Sequence, residues 1–132
     1  MDKTKVFLGG TYNESIWRSI LIDMLEIDYF NPVVDDWNEA AQRQESYERK
    51  HCDFVLYFIT PKMTGVYTIA EAVDDSNKRP LRTIFGYIPC DEGKTFTEGQ
   101  LCSIRAVAKL IENNGAYIFR DLEQCAIFLN GM

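Results

Sequence analysis

The sequence predicts an α/β fold, a parallel β-sheet covered on both faces by helices. Short apolar runs alternate with stretches whose apolar residues recur at helical spacing. One run, Phe54–Ile59, is apolar without alternation, as expected of a strand buried on both faces. The runs are far enough apart for crossover helices, which make neighbouring strands parallel and place helices on both faces of the sheet.

The elements follow in order. Residues 5–8 form a short strand, and Gly9-Gly10 supplies a turn signal after it. Ile16, Ile20, Leu21, Met24 and Leu25 mark the first helix, with Ser15 as its expected N-cap. Residues 27–30 read as a second strand closed by Asn31-Pro32, since Pro32 has no N–H for a ladder. Residues 38–50 are polar and read as an exposed helix with few core contacts. After the Phe54–Ile59 strand, a helix over 66–77 is expected to pack Val66, Ile69, Ala70 and Val73 on the sheet, with Lys78-Arg79-Pro80 as its stop. Residues 83–88 form a fourth strand and 89–97 an excursion. The helix Glu98–Asn113 has Leu101, Ile104, Ala108 and Ile111 on its apolar side, and Asn114-Gly115 ends it. A strand over 116–119 and a helix over 122–129 complete the chain. Five strands with short loops favour a flavodoxin-like three-layer sandwich, a five-stranded parallel sheet in the order 2-1-3-4-5.

Residues 1–132 suit one domain, long enough to bury a core without disulfide or metal staples. The net charge of −6 argues against nucleic acid polymers and anionic membranes as partners. No apolar run approaches the roughly 20 residues needed to span a bilayer. The first residues, Met-Asp-Lys-Thr-Lys, run into a strand with no apolar leader core. Cys52, Cys90, Cys102 and Cys125 are scattered, and the one histidine, His51, offers no zinc-ligand spacing, so no metal and no cofactor are expected. Free thiols suit a reducing compartment, and the expected location is cytoplasmic.

In the order 2-1-3-4-5 the winding reverses between the first and third strands, which is where open α/β sheets bind ligands. The loops that meet there contain Gly9-Gly10-Thr11 and 60–65, including Thr64 and Gly65. Glycines let backbone approach a ligand, and the following helix starts offer free N–H groups. The same glycines also serve as a simple tight turn. The pattern is neither Gly-x-Gly-x-x-Gly nor a P-loop. On the 66–77 helix, Tyr67, Glu71 and Asp74 share a stripe beside the apolar face, with Asp75 adjacent. Close carboxylates separate each other's pKa values, which suits cleavage of a glycosidic bond. Glu-x-x-Asp-Asp also reads as a solvated acidic face. Asp35-Asp36-Trp37 is read as a sugar contact with an aromatic wall or as an exposed turn. Trp17-Arg18 offers a stacking face and a phosphate partner, or a surface charge beside an indole. Tyr12 and Asn13 are candidate rim contacts.

Three strings together, Val6-Phe7-Leu8-Gly9-Gly10-Thr11, Asn31-Pro32-Val33-Val34-Asp35-Asp36-Trp37, and Ile59-Thr60-Pro61-Lys62-Met63-Thr64-Gly65 through Ile69-Ala70-Glu71-Ala72, resemble the nucleoside 2-deoxyribosyltransferase-like family. Asp74-Asp75-Ser76-Asn77-Lys78-Arg79-Pro80 fits its small stand-alone or phage-borne members. The resemblance implies a flavodoxin-like fold and cleavage of the N-glycosidic bond of a nucleoside or nucleotide. It makes Glu71 the nucleophile that attacks the anomeric carbon. It places Gly9, Gly10 and Thr11 near the sugar, and implies a homodimer or larger homo-oligomer. The chain departs from the family's transferases at three places. Phe7 stands where a nucleophile-orienting tyrosine is expected, Thr64-Gly65 where a base-handling aspartate is expected, and Tyr47 or Glu48 near a second aspartate. These departures favour hydrolysis, of a nucleoside or its 5′-phosphate, over base exchange. They also open a second reading, a non-catalytic nucleotide-binding or nucleotide-signal-binding module on the same fold.

Overall fold

Phe54–Ile59 lies in the middle of the sheet, where its alternate residues enter two different cores. Val55, Tyr57 and Ile59 face one side and Leu56 and Phe58 the other, and all five are fully buried. The absence of polar alternation in the sequence follows directly from this double coverage. The computed structural model describes residues 4–12, 14–34 and 36–132. Asn13, expected at the rim, and Asp35, expected in the turn after the second strand, lie outside the described residues.

Among the described residues the chain runs β1 (Lys5–Gly10), α1 (Trp17–Met24), β2 (Asp28–Phe30), α2 (Glu39–His51), β3 (Phe54–Ile59), α3 (Tyr67–Lys78) and β4 (Thr83–Tyr87). It continues through β5 (Cys90–Asp91), β6 (Lys94–Thr95), α4 (Glu98–Asn113), β7 (Tyr117–Phe119) and α5 (Leu122–Asn130). The main sheet has the order β2-β1-β3-β4-β7, and every pairing in it is parallel. Counting only its own strands, this is the expected order 2-1-3-4-5. Register runs Val6↔Phe54 to Gly10↔Phe58 and Val55↔Thr83 to Ile59↔Tyr87. One face of the sheet packs Phe7, Tyr57, Ile59 and Phe85 against Ala72 of α3 and Ile104, Ala108 and Ile111 of α4. The other packs Val6, Leu8, Leu56, Phe58 and Ile84 against Trp17 and Leu21 of α1 and Leu122, Cys125, Ala126 and Leu129 of α5. Each valine, leucine, isoleucine or phenylalanine among them contributes roughly 1.5–3 kcal/mol on burial. Among the described residues no helix is long and apolar enough to cross a membrane.

Three local expectations are corrected and one gains detail. Gly9 and Gly10 belong to β1 itself and pair with Tyr57 and Phe58, so the turn begins at Thr11. Ser15 does not cap α1: the N-cap is Ile16, without a side-chain cap, and the Ser15 hydroxyl donates to Asp91 Oδ2 at 2.5 Å. Residues 89–97 leave the main sheet as an excursion, and within it β5 and β6 pair as an antiparallel hairpin. α3 starts at Tyr67, with Val66 as its N-cap, and the helix is turned relative to the expected face. Ala72, Asp75 and Ser76 are its buried residues and Ile69 and Val73 pack beside them, while Val66 and Ala70 are exposed. The face is rotated because Asp75 is drawn inward by the hydroxyl of Tyr57.

Candidate active site

The winding reversal brings the carboxyl ends of β1 and β3 side by side. Two hydrogen bonds fasten their loops together: Thr11 N–H donates to the Phe58 carbonyl and Thr60 N–H to Thr11 Oγ1, both at 2.9 Å. From below, Arg18 donates to the carbonyls of Leu8 at 2.9 Å, Thr11 at 2.6 Å and Gly10 at 3.2 Å. Trp17 Nε1 adds a bond to the Thr11 carbonyl at 2.9 Å. Arg18 is 5% exposed and its guanidinium lies 4.4 Å from the Tyr12 ring centroid. Neither reading of Arg18 as a surface charge or a phosphate partner describes this placement; it braces the loop. Burial lowers its pKa to about 10.

Both glycines are needed for this close approach. A Cβ on Gly10, whose φ is 127°, would stand 2.1 Å from the Phe58 carbonyl oxygen. A Cβ on Gly9 would stand 2.8 Å from the Tyr57 ring. Gly9 therefore makes room for Tyr57, while Gly10 borders the opening above.

That opening is a cavity of about 670 Å³. Gly10, Thr11, Thr64, Gly65, Tyr67 and Glu71 line it, so the structure brings these expected residues together. Gly9, Asp36 and Asp74 are not on its wall. Asp36 is exposed, and the wall on that side is made by Pro32, Val33, Val34 and Trp37. Asp74 turns away to Lys78 Nζ at 3.1 Å and Arg49 Nη2 at 3.8 Å. The stripe Tyr67–Glu71–Asp74 is thus divided, and Asp75 lies buried beneath it.

Glu71 sits at the cavity floor with its side chain 14% exposed, and its Oε2 lies 3.4 Å from Arg49 Nε. The same Nε donates to Tyr57 Oη at 2.8 Å and Asp75 Oδ2 at 3.3 Å, and Tyr57 in turn donates to Asp75 Oδ2 at 2.6 Å. Arg79 locks the arrangement by donating to the carbonyls of Arg49 at 2.5 Å and Lys50 at 3.0 Å, and to Asp75 Oδ1 at 3.3 Å. Burial raises the pKa of Glu71 to about 7; Arg49 opposes the rise, and Glu45 and Asp75 add to it. Glu71 is therefore poised between its two protonation states near neutrality. Phe7 stacks on Phe30 and offers no hydroxyl. The phenol beneath Glu71 comes from β3, through Arg49.

Glu45, Arg49 and Tyr57 were not legible as site residues. α2 read as exposed because its polar residues mask a narrow inward face. Its N-cap Asn38 accepts from Ala41 N–H at 2.9 Å, and Ala41, Glu45, Glu48, Arg49 and Cys52 then fall on the partly or fully buried side. The available signal was the spacing of Ala41 and Cys52, the small residues at its two ends. Glu45 lines the cavity, and burial raises its pKa against the pull of Arg18 and Arg49. Among the described residues no group of acidic, cysteine or histidine side chains has the geometry to hold a metal ion.

The chain is a doubly wound parallel α/β protein with a partly buried carboxylate in a cavity at its winding reversal, the place where open sheets of this class hold ligands. A family model described as nucleoside 2-deoxyribosyltransferase like matches residues 3–79, which span both crevice loops, α2 and Glu71. The match covers more than half of the chain, which belongs to the nucleoside 2-deoxyribosyltransferase-like family. Neither a curated protein nor a solved structure matches it.

Proposed function

We propose that the protein cleaves the N-glycosidic bond of a nucleoside or nucleotide through covalent catalysis by Glu71. The observation that carries this reading is the position of Glu71, inside the cavity at the winding reversal and tethered to Arg49. Glu71 attacks the anomeric carbon as the bond to the base breaks, forming a sugar ester, and water then resolves the ester. Splitting one displacement into two lowers each barrier. Glu45, the second carboxylate on the cavity wall, takes the proton of the attacking water. Gly10, Thr11, Thr64, Gly65 and Tyr67 contact the substrate. The protein acts as a single-domain homodimer or larger homo-oligomer, with exposed Val33 and Val34 at the mouth as the surface a second copy covers. Four free cysteines support a cytoplasmic setting.

Incubation with a panel of deoxynucleosides, ribonucleosides and their 5′-phosphates, followed by chromatography, is expected to show free base. Glu71→Ala abolishes the release. Equal turnover by that variant defeats the assignment. Ligand-dependent thermal stabilisation with no base from any substrate identifies the nucleotide-binding module instead.

A further inference from the structure

The cavity is charged on one side only. Among the described residues Glu14, Glu45 and Glu71 line it, and no lysine, arginine or histidine does. Arg49 is shared among Glu71, Asp74 and Asp75, and Arg18 turns each of its guanidinium nitrogens onto a backbone carbonyl. Glu45 makes no hydrogen bond or ion pair with any described residue, although it is partly buried. Carboxylates held out of water are ordinarily paired, and the open side of this one is the cavity. Trp37 and Tyr67 line the same space and are 55% and 74% exposed, while the Tyr12 ring beside them already carries the Arg18 guanidinium at 4.4 Å. Arg49 pairs Glu71, and Arg18 and Arg49 act on Glu45 without contact, so Glu45 is the carboxylate left to engage a ligand. An aromatic face beside such a carboxylate favours a bound cation.

We propose that the substrate is an N-glycoside whose base carries a positive charge, such as a pyridinium nucleoside or an N-alkylated purine nucleoside. The proposal rests on the Glu71 reading and specifies the substrate it takes. A cationic base leaves without a proton donor. As a Glu71 oxygen bonds to C1′, the C1′–N pair passes to the ring nitrogen and cancels its charge, and a neutral base departs. Water then bonds to C1′ as the ester C1′–O bond breaks, Glu71 recovers its carboxylate, and the water proton passes to Glu45 and on to solvent. Cationic nucleoside and water thus become free sugar, neutral base and a proton.

The test compares bases on the same sugar that differ by one N-methyl group and the charge it brings: 7-methylguanosine against guanosine and 1-methyladenosine against adenosine. The Glu45→Gln arm separates the charge from the methyl group. Binding is measured by calorimetry with Glu71→Gln, which keeps the shape of the side chain and blocks turnover. The cationic member of each pair is expected to bind about tenfold more tightly or better, and adding Glu45→Gln to shrink that ratio toward one. Equal or tighter binding of the neutral members overturns the proposal, as does a ratio that Glu45→Gln leaves unchanged. Base release by the wild-type protein is followed in parallel. If no nucleoside is cleaved, the N-glycosidase reading fails, while the binding ratio still decides the charge preference.

Discussion

At the scale of the residue, the proposed chemistry turns on one carboxyl group, that of Glu71. Burial pushes the Glu71 pKa from 4.5 to about 7, and the neighbouring guanidinium limits the rise. A carboxyl group whose folded pKa is raised binds more protons in the native state than in the unfolded chain between those two values. The stability linked to it is fully present below pH 4.5 and is lost as pH rises through about 7. Glu71→Gln is therefore expected to be more stable than the wild type at pH 8, by about 1–3 kcal/mol, and to match it near pH 4. Melting curves across that range check the sign, and a gap that widens toward acid would refute it. Arg49→Gln removes the group that favours the ionised form. It is expected to move the acid limb of the rate profile upward by about one pH unit, with partial recovery in Arg49→Lys. An unmoved limb would detach Arg49 from Glu71. The alignment of Arg49 rests in turn on Tyr57 and Asp75, so Tyr57→Phe is expected to cost roughly 1.5–3 kcal/mol of stability through the lost charged hydrogen bond.

At the scale of the element, β1 and β3 approach so closely that only glycine fits at the end of β1. Gly10→Ala brings a Cβ against backbone rather than a flexible side chain, at a φ that L residues rarely adopt. It is expected to destabilise by more than about 3 kcal/mol in denaturant unfolding, and a loss below about 1 kcal/mol would contradict the packing described. The elements themselves were legible because each strand is an apolar run closed by glycine, proline or charge. Phe54–Ile59 and Glu98–Asn113 appear with the expected bounds. The orientation of α3 was not legible, because apolar periodicity cannot show that a buried carboxylate would find a phenol. Asp75 is 4% exposed only because Tyr57, on a strand remote in sequence, supplies the bond. The same limit hid Arg49 and Glu45, whose inward turn depends on α2 docking over the crevice. The hairpin was hidden too: Ser15 to Asp91 and Lys62 to Glu92 join three separate loops, each contact at 2.5 Å.

At the scale of the molecule, sheet order does the positioning. Because β2 and β3 lie on opposite sides of β1, the loops after β1 and β3 diverge to opposite faces and leave the cavity between them. That place was legible in the sequence from topology alone, and so was the presence of Glu71 near it. The finer assignment of Asp36 and Asp74 was not, since both depend on local turns that put hydrophobic or basic partners nearer than the cavity. The family match covers the half of the chain that builds this crevice, whereas α4, β7 and α5 cover and close the sheet. In the proposed reaction Glu71 forms a bond to the sugar. Intact-protein and peptide mass spectrometry after brief incubation with substrate and acid quench tests it most directly. An added sugar mass is expected, confined to the peptide bearing Glu71 and absent from Glu71→Ala. Base release with the mass of Glu71 unchanged, or an adduct that persists in the alanine variant, would contradict it.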